Sequence, residues 1–206
     1  MKLTGFFPWL FAALLAVLVS ACGDSEKDAN TFESSELFAS MGLADSQFNL
    51  GCCYLQGVGV AKNPAEAVKW YRKAADQGYA PAQNHLGILY SDGVGVAKDE
   101  VEAMKWYRKA ADQGNSKAHH NIAFLYRDGV GVAKDQVEAY AYLNLASIVE
   151  EVSRKWRDDL EDKMTPEAVL RGQQRTKELQ KEIDAKIEAK RAEYFKKAKD
   201  EKKAGK

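Results

Sequence analysis

The sequence predicts an all-α fold: an α-solenoid of helix-turn-helix repeats, with a C-terminal capping helix and then a long basic helix. Three observations lead there. Residues 44–79, 80–115 and 116–151 superpose without a gap, and the first two blocks agree at 23 of 36 positions. A fixed period between ~20 and ~50 residues marks an array whose units bury their apolar faces only by stacking on one another. Within each block the apolar residues fall at helical spacing. The composition, 46% hydrophobic with 4 prolines in 206 residues, supports long helices and argues against wholesale disorder. Charge is balanced, 30 Lys plus Arg against 30 Asp plus Glu, so no basic face marks a nucleic-acid binder.

The first element stands outside the folded domain. Residues 1–22 read MKLTGFFPWLFAALLAVLVSAC: Lys2 is a positive start, Phe6 to Val19 an apolar stretch broken by Pro8, and Ser20 and Ala21 small residues before Cys22. These three parts make a secretory signal peptide. A single membrane helix is the alternative, but the run falls short of the ~20 apolar residues that span a bilayer. Val19-Ser20-Ala21-Cys22 resembles the bacterial lipoprotein signal, with Val19 where that family more often has Leu. The resemblance implies cleavage before Cys22, diacylation of its thiol and acylation of the new amino terminus. Residues 1–21 are then a leader, Cys22 a lipid attachment point, and 22–31 a polar tether. By the same resemblance, Gly23 in place of Asp implies the inner leaflet of the outer membrane, with the domain in the periplasm.

The array spans 32–151: a half unit at 32–43, then units 44–79, 80–115 and 116–151. Helix A of each unit is expected over 44–55, 80–91 and 116–127. It places Leu50, Gly51 and Tyr54, then Leu86, Gly87 and Tyr90, then Ile122, Ala123 and Tyr126 on one face. Glycine inside a helix lowers its propensity, and close approach of the partner helix is the compensation. The pairs Gly57/Gly59, Gly93/Gly95 and Gly129/Gly131 are expected to end helix A. Helix B begins at a recurring capping box, Asn63 with Glu66, Asp99 with Glu102 and Asp135 with Glu138, with Pro64 in the first turn. Its inward stripe is Ala67, Trp70, Tyr71 and Ala74, repeated as Ala103, Trp106, Tyr107 and Ala110, and varied as Ala139, Tyr142, Leu143 and Ala146. Gly78 and Gly114 stop it.

Residues 152–206 supply the cap and the basic helix. Ser153 to Lys163 form a charged helix whose Trp156 and Leu160 cover the end of the stack. Thr165, Pro166 and Glu167 start a second helix running to about Lys199. Its apolar residues thin out toward Tyr194 and Phe195, so its far end is expected to project into solvent. Between Lys186 and Lys206 there are nine Lys or Arg and four Asp or Glu. A solvated, fraying helix and a basic arm on anionic lipid or an envelope partner both remain open.

The pattern A..Q..LG..Y..G.GV..D..EA..WY.KAA.QG over about 36–150 resembles the Sel1-like repeat, a relative of the tetratricopeptide repeat. In the third unit it weakens: Asn144, Leu145 and Ser147 replace Arg, Lys and Ala, Glu150 replaces Gly, and the solenoid is expected to end there. The resemblance implies a curved array of antiparallel helix pairs that binds proteins or peptides. By analogy with tetratricopeptide arrays, helix A lines the concave groove. The groove residues are then Asp45, Phe48, Cys52, Leu55 and Gln56; Pro81, Asn84, Ile88, Ser91 and Asp92; and Lys117, His120, Phe124, Arg127 and Asp128. Eight of the 13 differences between the first two units fall in helix A, which fits either a surface specialised unit by unit or drift at positions on which nothing packs. The reading expects Phe48, Ile88 and Phe124 to be exposed, with Phe and Arg as anchors.

Catalytic chemistry is sparse. His85, His119 and His120 are not at ligand spacing with Cys or carboxylates, and every GxG belongs to the repeated turn. Cys53 stands where Leu89 and Leu125 stand, a buried apolar substitute, whereas Cys52 faces the groove. No metal or cofactor is expected, and no enzyme activity. Within protein–protein interaction the resemblance implies two roles. One is an immunity protein that neutralises a type VI secretion effector such as a phospholipase; the other is a scaffold or accessory subunit of an envelope assembly. The competing class is a cell-wall or lipid-modifying enzyme or its cofactor.

Overall fold

The structure, a computed structural model, describes residues 30–204. The leader, Cys22 and all but the last two tether residues lie outside the described residues. Residues 30 and 31, read as tether, already belong to helix α1, which covers 30–40. Then follow α2 (Ala44–Gln56), α3 (Pro64–Asp76), α4 (Ala80–Asp92), α5 (Glu100–Ala111), α6 (Ser116–Asp128), α7 (Gln136–Ser147), α8 (Glu151–Glu161) and α9 (Pro166–Ala204). The even helices α2, α4 and α6 are the A helices, and α3, α5 and α7 the B helices. Within a unit they run antiparallel: Tyr54 accepts from the N–H of Asn63, Gly51 faces Tyr71, and Gln47 meets Gln77. Units stack by packing α3 on α4, α5 on α6 and α7 on α8.

The glycine of helix A sets the spacing inside each pair. A Cβ on Gly51 would lie 2.8 Å from the Tyr71 ring, and one on Gly87 would press into the Tyr107 ring. In the third unit the same two positions hold Ala123 and Leu143, both buried. A larger residue on helix A is therefore matched by a smaller one on helix B.

The paired turn glycines divide their work, which corrects the expectation that both end helix A. Only the first of each pair does so. Gly57, Gly93 and Gly129 adopt left-handed backbone conformations and return their N–H groups to the carbonyls of Cys53, Leu89 and Leu125. Gly59, Gly95 and Gly131 come two residues after the helix has stopped, with φ of 67°, 71° and 67°. Spacing between units rests on this second position. A Cβ on Gly95 would collide with the backbone of Pro64, and one on Gly131 would lie 2.9 Å from Glu100. Pro64 and Glu100 each open the preceding B helix, so the turn of one unit seats on the helix start of the unit before it. Gly59 is exposed in the turn of the first unit, and its positive φ, rather than a role in stopping α2, is what calls for glycine there.

Helix B is capped on one side only, which corrects the capping box. The Oδ1 atoms of Asn63, Asp99 and Asp135 accept from the N–H groups of Glu66 (3.1 Å), Glu102 (2.9 Å) and Glu138 (3.1 Å). The reciprocal arm is absent. The cap residues donate their own N–H groups to the carbonyls of Tyr54, Tyr90 and Tyr126 at 2.7, 2.9 and 2.9 Å. Those carbonyls lie in the last turn of helix A, where no intrahelical donor remains, and the turn delivers the cap onto them. The three glutamates instead meet Lys69, Lys105 and Arg175.

Between units runs a buried polar ladder. Gln47 donates to the carbonyl of Ala39, Gln83 to that of Ala75, and His119, in the same repeat position, faces that of Ala111 at 3.2 Å. Facing a carbonyl, the His119 Nε2 carries the proton, so this ring is a neutral substitute for glutamine. Its burial lowers its pKa, against the raising influence of the Ala111 hydrogen bond and of Asp112. On the helix B side, Gln77 and Gln113 donate to Gln47 and Gln83, both at 2.7 Å. Because Ala39 accepts the first rung and Gly42 has a positive φ like Gly78 and Gly114, α1 is the B helix of an incomplete unit.

The third unit departs from the others where later helices cover it. In the first two units Arg72 and Arg108 donate to the hydroxyls of Tyr90 and Tyr126 on the next A helix. Asn144 replaces that arginine and donates to Thr176 of α9, while Leu145 is buried and Ser147 accepts from Arg157 of α8. Tyr140 hydrogen-bonds Glu161 at 2.6 Å, and its ring lies over Gly172, where a Cβ would meet it at 2.5 Å. The stack does not end at Glu150. Helix α8 takes the place of a fourth A helix, with Ser153 and Leu160 buried as Ala118 and Leu125 are, 35 residues on. Helix α9 is longer than expected, ending at Ala204, and much of it runs back over the array. Lys186 pairs with Asp112 at 2.7 Å and Lys190 donates to Gln113 at 2.8 Å. From Glu188 onward every described side chain is exposed.

Three outcomes follow from these contacts. Gly87→Ala destabilises the protein by about 1–3 kcal/mol through overpacking against Tyr107. Tyr107→Leu costs less in the Gly87→Ala background than in the native chain, because the pair then reproduces the Ala123–Leu143 arrangement; a urea-denaturation double-mutant cycle measures the coupling. His119 has a folded pKa below its unfolded one, so the unfolded chain binds more protons and stability is lost as pH falls through about 6.5. His119→Gln keeps the rung and removes the titration. Between about pH 7.5 and about pH 5 its urea midpoint falls less than that of the native protein.

Candidate functional site

Helices α2, α4, α6 and α8 form one row, and the structure distributes the expected groove residues along it unevenly. On α2, Asp45 is exposed and accepts from the N–H of Ser46 at 2.8 Å. Phe48 is half-buried, its ring 5.4, 5.5 and 5.0 Å from those of Tyr71, Tyr79 and His85. Cys52, also half-buried, accepts from the Tyr71 hydroxyl at 3.2 Å, and burial pushes its thiol pKa up. Leu55 is half-buried and Gln56 exposed. On α4, Pro81, Ile88 and Ser91 are half-buried and Asp92 is exposed, but Asn84 is buried beneath the row, its amide oxygen accepting from Asn121 at 3.0 Å.

On α6, Lys117 is exposed while His120, Phe124 and Arg127 are half-buried. The Arg127 guanidinium lies 4.1 Å from the Phe124 ring centre and 4.8 Å from that of Trp156 on α8. It also donates twice to Asp128, at 2.7 Å each, and holds that carboxyl below its ordinary pKa. The expectation of bare phenylalanine and arginine anchors is therefore corrected. Phe48 fills the interval between the first two units, and Phe124 and Arg127 are engaged by the capping helix. They face the row, but their contacts are already made within the chain.

What the row leaves open is a recess of about 190 Å³ between α4, α6 and α8. Ile88 supplies apolar lining, Asn84, Asn121, His120 and Ser153 polar lining, and Lys117, Glu150 and Val152 complete it. His120 Nδ1 lies 2.7 Å from the Ser153 hydroxyl, and Glu150 accepts from Ser116 at 3.3 Å. Burial lowers the His120 pKa, which favours a neutral ring with both donor and acceptor capacity. Such a recess accommodates one side chain or a bend of main chain, with a cation and a carboxylate of the protein beside it. Among the described residues, no cluster of three or more His, Cys, Asp or Glu is placed to hold a metal ion.

Sequence reasoning missed Asn121, Glu150, Val152 and Ser153. Ser153 opens the segment 153–163 read as a charged end cap, and Glu150 and Val152 lie just before it; the match of Ser153 to Ala82 and Ala118, one residue short of the period, would have placed it in the row. Cys53 is buried as expected.

Comparison with known proteins agrees with this architecture. The Sel1 repeat family model matches residues 44–79, 80–115 and 116–147, together about half of the chain. The crystal structure of a Sel1 repeat protein from Oxalobacter formigenes is 35% identical, with a TM-score of 0.51, over 60% of this chain and 54% of that one. A protective antigen present in uropathogenic Escherichia coli strains, displaying an SLR fold, is 28% identical with a TM-score of 0.58, over 78% of this chain and 43% of the other. DAP3-binding cell death enhancer 1 of Rattus norvegicus is 54% identical over 39 residues, 19% of this chain and 8% of that protein. The chain thus spans about half or less of each of these proteins. Three repeat matches falling on the three observed helix pairs assign the chain to the Sel1 repeat family.

Proposed function

We propose that this chain is a periplasmic protein-binding module, lipid-anchored through Cys22, whose partner docks on the row of A helices. The recess between α4, α6 and α8 carries the reading. It lies on the helices in which the repeats differ most, combines an apolar patch with hydrogen-bonding groups, and is bordered by Lys117 and Glu150. A partner side chain seated on Ile88 supplies the buried centre of the contact, and the polar groups fix its orientation. A small recess on the A-helix row of a three-unit array suits one dedicated partner. That favours an immunity protein that neutralises a type VI effector such as a phospholipase over a scaffold of an envelope assembly. The enzymatic alternative draws no support from the imidazoles: His85 faces the Pro81 carbonyl, His119 that of Ala111, and His120 the Ser153 hydroxyl.

A photo-crosslinking residue at position 88, compared with one at the exposed Val101 of α5, tests the surface in envelope preparations. The expected result is one stoichiometric effector captured from position 88 and not from 101. Several envelope proteins captured there support the scaffold reading, and equal capture at both positions contradicts the recess. Ile88→Asp weakens binding of the captured partner by about tenfold or more without unfolding the half-exposed site. The anchor has its own test. Cys22→Ser moves the protein from the membrane fraction to the soluble periplasm, and its continued retention in the membrane fraction contradicts acylation.

A further inference from the structure

Where α9 crosses the second and third units it roofs another recess, of about 300 Å³, which shares no residue with the one at α8. Its floor comes from Arg108 on α5, Tyr126 on α6 and Tyr142 on α7, and its roof from Arg175, Leu179 and Ile183 on α9. The Tyr142 side chain is only 9% exposed and its ring stacks on that of Tyr126, with centres 6.0 Å apart. Its hydroxyl has no hydrogen-bond partner among the described residues. Burial pushes its pKa up to about 12; Tyr126 and Glu138 add to the rise, and Arg108 and Arg175 oppose it. Those four groups therefore surround the hydroxyl, which stays a donor at neutral pH.

The carboxylates in the walls are already bound. Glu138 and Glu182 accept from Arg175 at 2.8 and 3.1 Å, and Asp112 accepts from Lys186 at 2.7 Å. Arg108 donates to the Tyr126 hydroxyl at 2.8 Å and pairs with no carboxylate among the described residues. The Tyr126 and Tyr142 hydroxyl protons and the remaining N–H groups of Arg108 are thus donors without an acceptor. One unit earlier the same places hold Arg72, Tyr90 and Trp106, but the Trp106 indole N–H is fully buried and out of a ligand's reach.

We propose that this recess binds a small organic carboxylate, its charged group held by Arg108, Tyr126 and Tyr142 and its apolar body against Leu179 and Ile183. One guanidinium without a carboxylate matches one negative charge. A phosphate dianion would bring a second charge beside Glu138 and Glu182 with nothing left to neutralise it. An ammonium group would find those two carboxylates taken by Arg175. The volume lies at the lower end of small-molecule pockets and fits an acid such as 3-phenylpropionate or the last residue of a peptide. Either source would tie the floor to the roof, because the donors come from the array and the apolar wall from α9.

Calorimetric titration of the full chain with 3-phenylpropionate and with its amide tests this. The acid is expected to bind in the millimolar range, and the amide about tenfold more weakly or worse. Tyr142→Phe keeps the buried ring and Arg108→Gln alters an exposed side chain. Each weakens binding of the acid by about tenfold, whereas Arg72→Gln leaves it unchanged. Saturating acid also slows amide exchange across 175–187, the segment that roofs the site. A tripeptide with a free carboxyl terminus that binds more tightly than the acid assigns the site to chain ends, and the reverse order assigns it to free acids; both uphold the carboxylate. Equal binding of acid and amide, preference for inorganic phosphate or for 3-phenylpropylamine, or undiminished affinity in either variant overturns the proposal. So does a failure of acid and peptide alike to bind.

Discussion

A tyrosine ring lying on a bare helix backbone is the contact on which every other distance in this array depends. Gly51 and Gly87 admit Tyr71 and Tyr107 to a separation that any side chain on helix A would prevent. At that separation the helix B cap lies within reach of the last tyrosine carbonyl of helix A, and the glutamines at the far end meet across the pair. The turn is then drawn close enough to rest its second glycine, Gly95 or Gly131, on the preceding helix B. One close approach thus sets the intra-unit spacing, the capping pattern and the seat of the next unit. The Ala123–Leu143 pair shows that the summed volume is what matters, since it shifts the bulk from one helix to the other.

The array itself was legible in the sequence because its determinants are local and repeated. Helix limits, turn glycines and the alanine stripe recur every 36 residues, and each recurrence strengthens the same inference. The GxG spacing showed where the turn falls but not that its two glycines differ in role, since the chain segment that the second one meets lies a whole unit away. The capping box was half right. A box is a property of four consecutive residues, but the donor it leaves over was claimed by Tyr54, Tyr90 and Tyr126, which only the folded turn brings near. The groove was legible as a row and not as a surface. Spacing placed Phe48, Phe124 and Arg127 on the correct side, but it could not show Trp156 arriving from α8 or Tyr79 and His85 closing over Phe48.

The weakening of the third unit illustrates the same limit. Asn144, Leu145, Ser147 and Tyr140 resemble decay when compared with the earlier copies. In the fold each faces α8 or α9, so the departures describe a face built for burial where the other units face water. The loss of Arg at position 144 follows directly. The tyrosine hydroxyl that Arg72 and Arg108 address on the next A helix has no counterpart on α8, and Thr176 is the group within reach.

Helix α9 touches the third unit at Gly172, the second at Lys186 and Ile187, and the first at Lys190. Arrays of this kind ordinarily gain and lose copies with little penalty, because each unit contacts only its neighbours. Here α9 packs on the third unit and extends past the second as far as Gly78 of the first, so one helix meets three units in a fixed order. Inserting one more unit would displace Gly78 from Lys190, and deleting one would leave a turn of α9 facing nothing. Descendants of this protein can therefore alter what each unit displays far more freely than the order in which Gly172, Ile187 and Lys190 meet the third, second and first units, because a change in copy number shifts which unit each of them faces.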